Sequence, residues 1–200
     1  MYIMENLLPI ENHPWQPFIP EGAKILIMGT FPPQMKRWNM DFYYPNRTND
    51  FWKIMGLIFL GNKDALLLPG SKDYDLNAII SLMTEKHIAL NDTVRKAQRL
   101  KGNASDKFLN IVEPVPLFDL LGQMPDCHAV ATTGEKAASV IAELTDTALP
   151  KMGECLVAEK TPLPYPLEIY RMPSTSRAYP LAVEKKAEYY KEMFEKIGIL

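Results

Sequence analysis

A three-layer α/β/α sandwich, with helices on both faces of a central, mainly parallel sheet of about four strands, is the fold class that this chain predicts. Three observations predict it: short apolar runs that end on glycine or polar residues, helical stretches that follow them, and the recurrence of that order along the chain. Lys24–Met28 (KILIM) and Ala129–Thr133 (AVATT) are the clearest runs, and their unbroken apolar character suits strands buried on both faces. Parallel neighbours need a crossover connection, which the intervening helices supply. In sheets of this kind, ligands bind outside the carboxyl ends of the strands.

Residues 1–20 carry Pro9, Pro14, Pro17 and Pro20, which remove backbone donors and restrict local angles, so they read as an extended arm on one domain spanning residues 1–200. Lys24–Met28 is the first central strand, closed by Gly29 and the turn-forming Pro32 and Pro33. Asn49–Leu60 opens on two N-cap candidates, Asn49 and Asp50, and continues too apolar for an exposed helix, so it should pack on the sheet. Tyr74–Lys86 reads as a helix and His87–Leu90 as a strand ending at Asn91 and Asp92. Asp106–Val112 reads as a short helix before Pro114. Ala129–Thr133 is a second buried strand, followed by Gly134 and a helix over Glu135–Leu144. Leu167–Met172 is a last strand, and the polar loop Pro173–Pro180 leaves its carboxyl end. The closing helix, Ala182–Ile197, sets Val183, Ala187, Tyr190, Phe194 and Ile197 on one stripe, with Lys185, Lys186, Glu188, Lys191 and Glu195 facing away.

Composition narrows the function classes. With 200 residues, 47% hydrophobic and 23% charged, the chain suits one well-filled core. A formal net charge of −2 gives no general attraction to a polyanion, so binding to nucleic acid would need a local patch. Arg95, Lys96, Arg99, Lys101 and Lys107 form the densest basic run; it reads either as that patch or as a solvated helix and turn. Cys127 and Cys155 are too few for an iron-sulfur cluster, a four-cysteine zinc site or a disulfide framework, which points to a reducing cytoplasm. His13, His87 and His128 lack metal-ligand spacing, so neither a metal nor a cofactor is expected. No apolar run approaches a membrane span, the start lacks the pattern of a signal peptide, and no heptad seam suggests anything but a monomer. Gly29 has no Gly-x-x-Gly continuation and no Walker lysine follows it; a Gly-x-Ser-x-Gly elbow is also missing, which disfavours dinucleotide, P-loop and serine-hydrolase chemistry.

Three segments follow predicted strands and should meet on one rim of the sheet: Gly29–Gln34 (GTFPPQ), Phe42–Trp52 (FYYPNRTNDFW) and Pro173–Tyr179 (PSTSRAY). Singly, they read as a turn, a core aromatic cluster and a capping loop. In this order they resemble the uracil-DNA glycosylase superfamily, nearest its mismatch-specific and hypoxanthine-DNA glycosylase branches. His87–Asp92, Arg99–Asp106 and Val130–Lys136 are similar to the family's middle strand, the turn after it and its base-edge strand, so the resemblance runs from Trp15 onward.

The resemblance implies hydrolysis of the N-glycosidic bond of a deaminated base, uracil or hypoxanthine, flipped out of DNA, with no cofactor. Such cleavage passes through an oxocarbenium-like sugar and needs a positioned water and a stabilised leaving base. Many relatives place the water-orienting Asn or Asp between the Gly and Pro of the first motif; here that position is Phe31. The role then passes to the Asn of Asn-x-Phe-Trp, which is Asn49, with Asn46 as a second candidate; Asn49 also reads simply as the N-cap of its helix. Phe42, Tyr43 and Tyr44 are candidates to stack on the flipped base beside Gly29, Thr30 and Phe31, and Thr132 and Thr133 to read its edge. Pro173, Ser174, Thr175, Ser176 and Arg177 would approach the duplex, with Arg99 and Lys101 adding phosphate contacts. The alternative is a glycosylase-like module that binds DNA or a base without catalysis.

Overall fold

The computed structural model describes residues 8–101 and 108–200. Strands β2 (Ile25–Gly29), β3 (Ile88–Asp92), β6 (Ala129–Thr133), β7 (Cys155–Ala158) and β8 (Leu167–Met172) form a five-stranded sheet in the order β3-β2-β6-β8-β7. Four are parallel, and β7 runs antiparallel along the edge of β8. Alternation along β2 explains the layering. Ile25 and Ile27 point to one face and pack with helices α1 (Phe51–Leu60), α2 (Leu76–Glu85) and α5 (Val183–Lys196), whose contributions include Trp52, Ile54, Ile79 and Phe194. Leu26 and Met28 point to the other face, onto α3 (Leu117–Leu121) and α4 (Glu135–Thr145). Every residue of β2 and β3 is buried, as the sequence pattern predicts for central parallel strands.

A second sheet was not read from the sequence. Strand β1 (Ile10–Asn12) in the amino-terminal arm pairs antiparallel with β4 (Val94–Arg99), which pairs with β5 (Leu109–Pro114). The arm is therefore stitched down: His13 N–H also donates to the Arg95 carbonyl, and Phe18 exchanges two backbone hydrogen bonds with Leu90. The short helix expected over Asp106–Val112 is corrected by β5 from Leu109 onward; Asp106 and Lys107 lie outside the described residues. Leu109 and Ile111 pack with Val94 and Ala97, and that cross-strand burial outweighs local helix preference. The sheet is also larger than expected by the short edge strand β7. Lys186, expected on the outer face of the last helix, is fully buried. Among the described residues no helix is long and apolar enough to cross a membrane.

Candidate active site at the carboxyl edge of the sheet

A cleft of about 910 Å³ opens where β2, β3, β6 and β8 end. Gly29 to Pro33, Tyr44 to Asn46 with Thr48 and Asn49, and Ser174 to Ala178 all line it, so the three segments expected to meet do meet. Thr133, Arg37 and Asp92 complete the walls. The volume falls within the roughly 300–1,000 Å³ range of small-ligand sites.

Gly29 is required by a close approach. A Cβ there would lie 2.5 Å from Asp92 Oδ1, so the carboxylate crosses directly over the glycine. Asp92 Oδ2 accepts a 2.9 Å hydrogen bond from His13 Nε2, and both side chains are 8% exposed. His13 Nδ1 lies 3.0 Å from the Trp15 carbonyl. Burial by itself would lower the His13 pKa, but the Asp92 carboxylate, by hydrogen bond and by charge, and the Trp15 carbonyl outweigh it and hold the value above the ordinary 6.5. Burial and the charge of Asp92 push the Tyr44 hydroxyl well above its usual range, so it is a neutral phenol at 3.3 Å from Thr133 Oγ1.

Asn49 is partly buried on the cleft wall. Its Oδ1 accepts from Phe51 N–H at 2.9 Å, and its amide nitrogen has no partner among the described residues. The N-cap of α1 is Asp50 rather than Asn49, which lies one residue outside it; the Asn49 carbonyl still fixes its side chain against the first turn and leaves the N–H₂ group available. Asp50 makes no side-chain capping bond to a backbone N–H of the helix. Asn46 Oδ1 is occupied by Thr48 N–H and Oγ1–H. The third loop is held by its own hydroxyls, Ser174 Oγ accepting from Ser176 N–H and Ser176 Oγ from Ala178 N–H.

Beneath this wall lies a buried ion pair that the sequence reading missed. Lys186 Nζ donates to Asp50 Oδ2 at 2.8 Å and to the Ser176 carbonyl at 2.9 Å, while Asp50 N–H donates to the Thr175 carbonyl. The last helix thereby ties the start of α1, which carries Asn49, to the Ser/Thr loop. Lys53 also reaches Asp50, at Oδ1.

Several expected site residues stand away from the cleft. Tyr43 is 1% exposed, with its hydroxyl donating to the Gln16 carbonyl or Asn91 Oδ1, and Phe42 packs against the core. Of the three aromatic candidates only Tyr44 lines the cleft, with one ring face stacked on Phe51 at 3.8 Å between centroids. Thr132 is fully buried and donates to the Tyr170 carbonyl, which leaves Thr133 at the cleft. Pro173 is buried, its carbonyl accepting from Tyr190. Arg99 is 8% exposed at its side chain and bonds to Glu11 and the Pro32 carbonyl; Lys101 lies over the Phe108 ring. Neither is on the cleft wall. Asp92, His13, Arg37 and Lys186 are the residues that sequence reasoning did not assign. For Asp92 a signal was present, a carboxylate at the end of an otherwise apolar strand.

No protein-family model matches the chain, and no curated protein sequence matches it. A search of solved structures does find relatives in shape. The solution NMR structure of a Methanosarcina acetivorans protein, assigned provisionally as a uracil DNA glycosylase, superposes with a TM-score of 0.65 over 95% of this chain and 99% of that one. The likeness is one of fold. Sequence identity is 18%, so the correspondence supports the α/β/α architecture expected from the sequence and leaves the chemistry to be argued from the cleft.

Proposed function

We propose that this chain is a monofunctional DNA glycosylase that hydrolyses the N-glycosidic bond of a deaminated base, uracil or hypoxanthine, everted from DNA into the cleft. The observation that carries this reading is the convergence of Asn49, Tyr44, Asp92 and the Ser174–Arg177 loop on one cavity of nucleotide-accommodating size. Tyr44 and Phe31 offer aromatic walls to a base. Asn49, fixed through Phe51 N–H, donates its amide to the departing base or holds water on the remaining lone pair of Oδ1. The Asp92 carboxylate supplies negative charge near a sugar that becomes cationic as the bond breaks. Ser174, Ser176 and Arg177 are the groups for the adjoining phosphates.

Phe31 favours a second reading, a module that binds DNA or a base without cleaving it, because an apolar ring stands where a water-orienting group would serve the first motif. One experiment separates the two. Duplex oligonucleotides carrying uracil, hypoxanthine or thymine opposite defined bases are incubated with the protein and treated with alkali to cut abasic sites. Wild type should release a base from at least one of them, and Asn49→Ala should lower the single-turnover rate by about 100-fold, while loss of the hydrogen bond from Phe51 N–H costs about 1 kcal/mol of stability. Duplex binding without release of any base would favour the binding module, and full activity in Asn49→Ala would move the role to another residue.

A further inference from the structure

The basic run of β4 is occupied elsewhere: Arg95 and Lys96 pair with Glu113, and Arg99 with Glu11. A different set of cations borders the cleft. Lys36, Arg37 and Arg47 line a depression beside it, together with Asn46 and Thr48. Beyond that, Arg47, Lys53, Lys63 and Lys72 line a cavity of about 160 Å³. Arg37, Asn46 and Thr48 belong to both the cleft and the depression, and Arg47 to both the depression and the outer cavity, so the three hollows adjoin. Among the described residues Lys36, Arg37, Arg47, Lys63 and Lys72 form no ion pair; Lys53 bonds to Asp50. The acids nearby are few. Asp64 lines the outer cavity; Asp50, held by Lys53 and Lys186, acts on Tyr74 from behind it; and Asp73, already bonded to Asn39 and Ser71, feels the charge of Arg47.

We propose that this band is the track for the sugar-phosphate backbone of duplex DNA flanking the everted nucleotide. The inference rests on the DNA reading of the cleft and adds the path that the duplex takes away from it. Cations strung along adjoining hollows, rather than gathered around one pocket, suit a ligand with repeating negative charge. A chain of net charge −2 needs such a local band to hold a polyanion at all. Trp52, Leu66 and Leu67 give the outer cavity an apolar floor compatible with sugar carbons.

The test is fluorescence anisotropy with an undamaged labelled duplex across a salt series, which reads binding without chemistry. Arg47, Lys63 and Lys72 are exposed, so the triple change to Gln should leave the fold intact by circular dichroism. That variant should lose about 2–3 from the slope of log affinity against log salt, at roughly 0.9 per phosphate contact. The double variant Arg95→Gln, Lys96→Gln should keep the wild-type slope. An unchanged slope in the triple variant, an equal loss in both charge variants, or no duplex binding by wild type at low salt would overturn the track. Excision is scored separately, so base release with an unaltered slope would sink the track alone, and an altered slope without release would sink the glycosylase reading alone.

Discussion

The two ends of the chain each send one buried ion pair to the cleft, and the pairs differ in kind. From the amino-terminal arm, His13 reaches Asp92 at the end of β3. From the carboxyl-terminal helix, Lys186 reaches Asp50 at the start of α1 and also grips the Ser176 carbonyl. The first pair fixes a carboxylate that faces the cleft, and its strength depends on a proton. The second pair lies behind the wall and sets the spacing of two loops. Buried charge pairs add little net stability compared with apolar packing, but removing one partner strands the other, so both positions should be sensitive to substitution.

The largest effect is expected at Lys186. Lys186→Met should cost about 3 kcal/mol in urea unfolding, because Asp50 keeps only the partly exposed Lys53. The further change Asp50→Asn should recover part of that loss; a double variant no better than the single one would mean that packing, rather than the stranded charge, sets the cost. Next is His13→Gln, expected to cost about 2 kcal/mol at pH 6. Since the folded His13 pKa is raised, its contribution is complete below the ordinary value of 6.5 and declines as pH rises through the folded value. Unfolding free energies measured from pH 5 to 9 should therefore converge for wild type and variant on the alkaline side, and parallel curves would refute proton linkage at this residue. The smallest effect is expected away from the cleft. Lys96→Gln breaks a pair whose side chains are 42% and 36% exposed, and its thermal unfolding should shift by no more than about 0.5 kcal/mol.

The legible parts of the molecule were those whose environment is uniform. Strands β2 and β6 lie mid-sheet between helices on both faces, so burial selects apolar or small residues along them, whereas β8, beside the edge strand β7, keeps Glu168 and Arg171 at half-buried positions. The small sheet has no such signature. In β4 the register shifts around Lys96, which puts Val94 and Ala97 both inside and destroys the period-two alternation a reader would look for. Lys186 was misread for a related reason. It lies at helical spacing between Val183 and Tyr190, on the stripe itself, but a lysine is read as solvent-facing unless its carboxylate partner is known, and that partner is Asp50 on another helix start.

By itself, the sequence determined the layered α/β/α class, most of the central strands and helices, and the three segments that would share a rim, because burial periodicity and turn chemistry are local properties. Only the tertiary structure decided which residues occupy that rim: Tyr44 rather than Phe42 or Tyr43, Thr133 rather than Thr132, and Asp92 with a histidine from the arm. It also decided which basic residues remain unpaired. The reason is that side-chain direction and charge pairing depend on what distant parts of the chain bring into contact, and no local pattern encodes those partners.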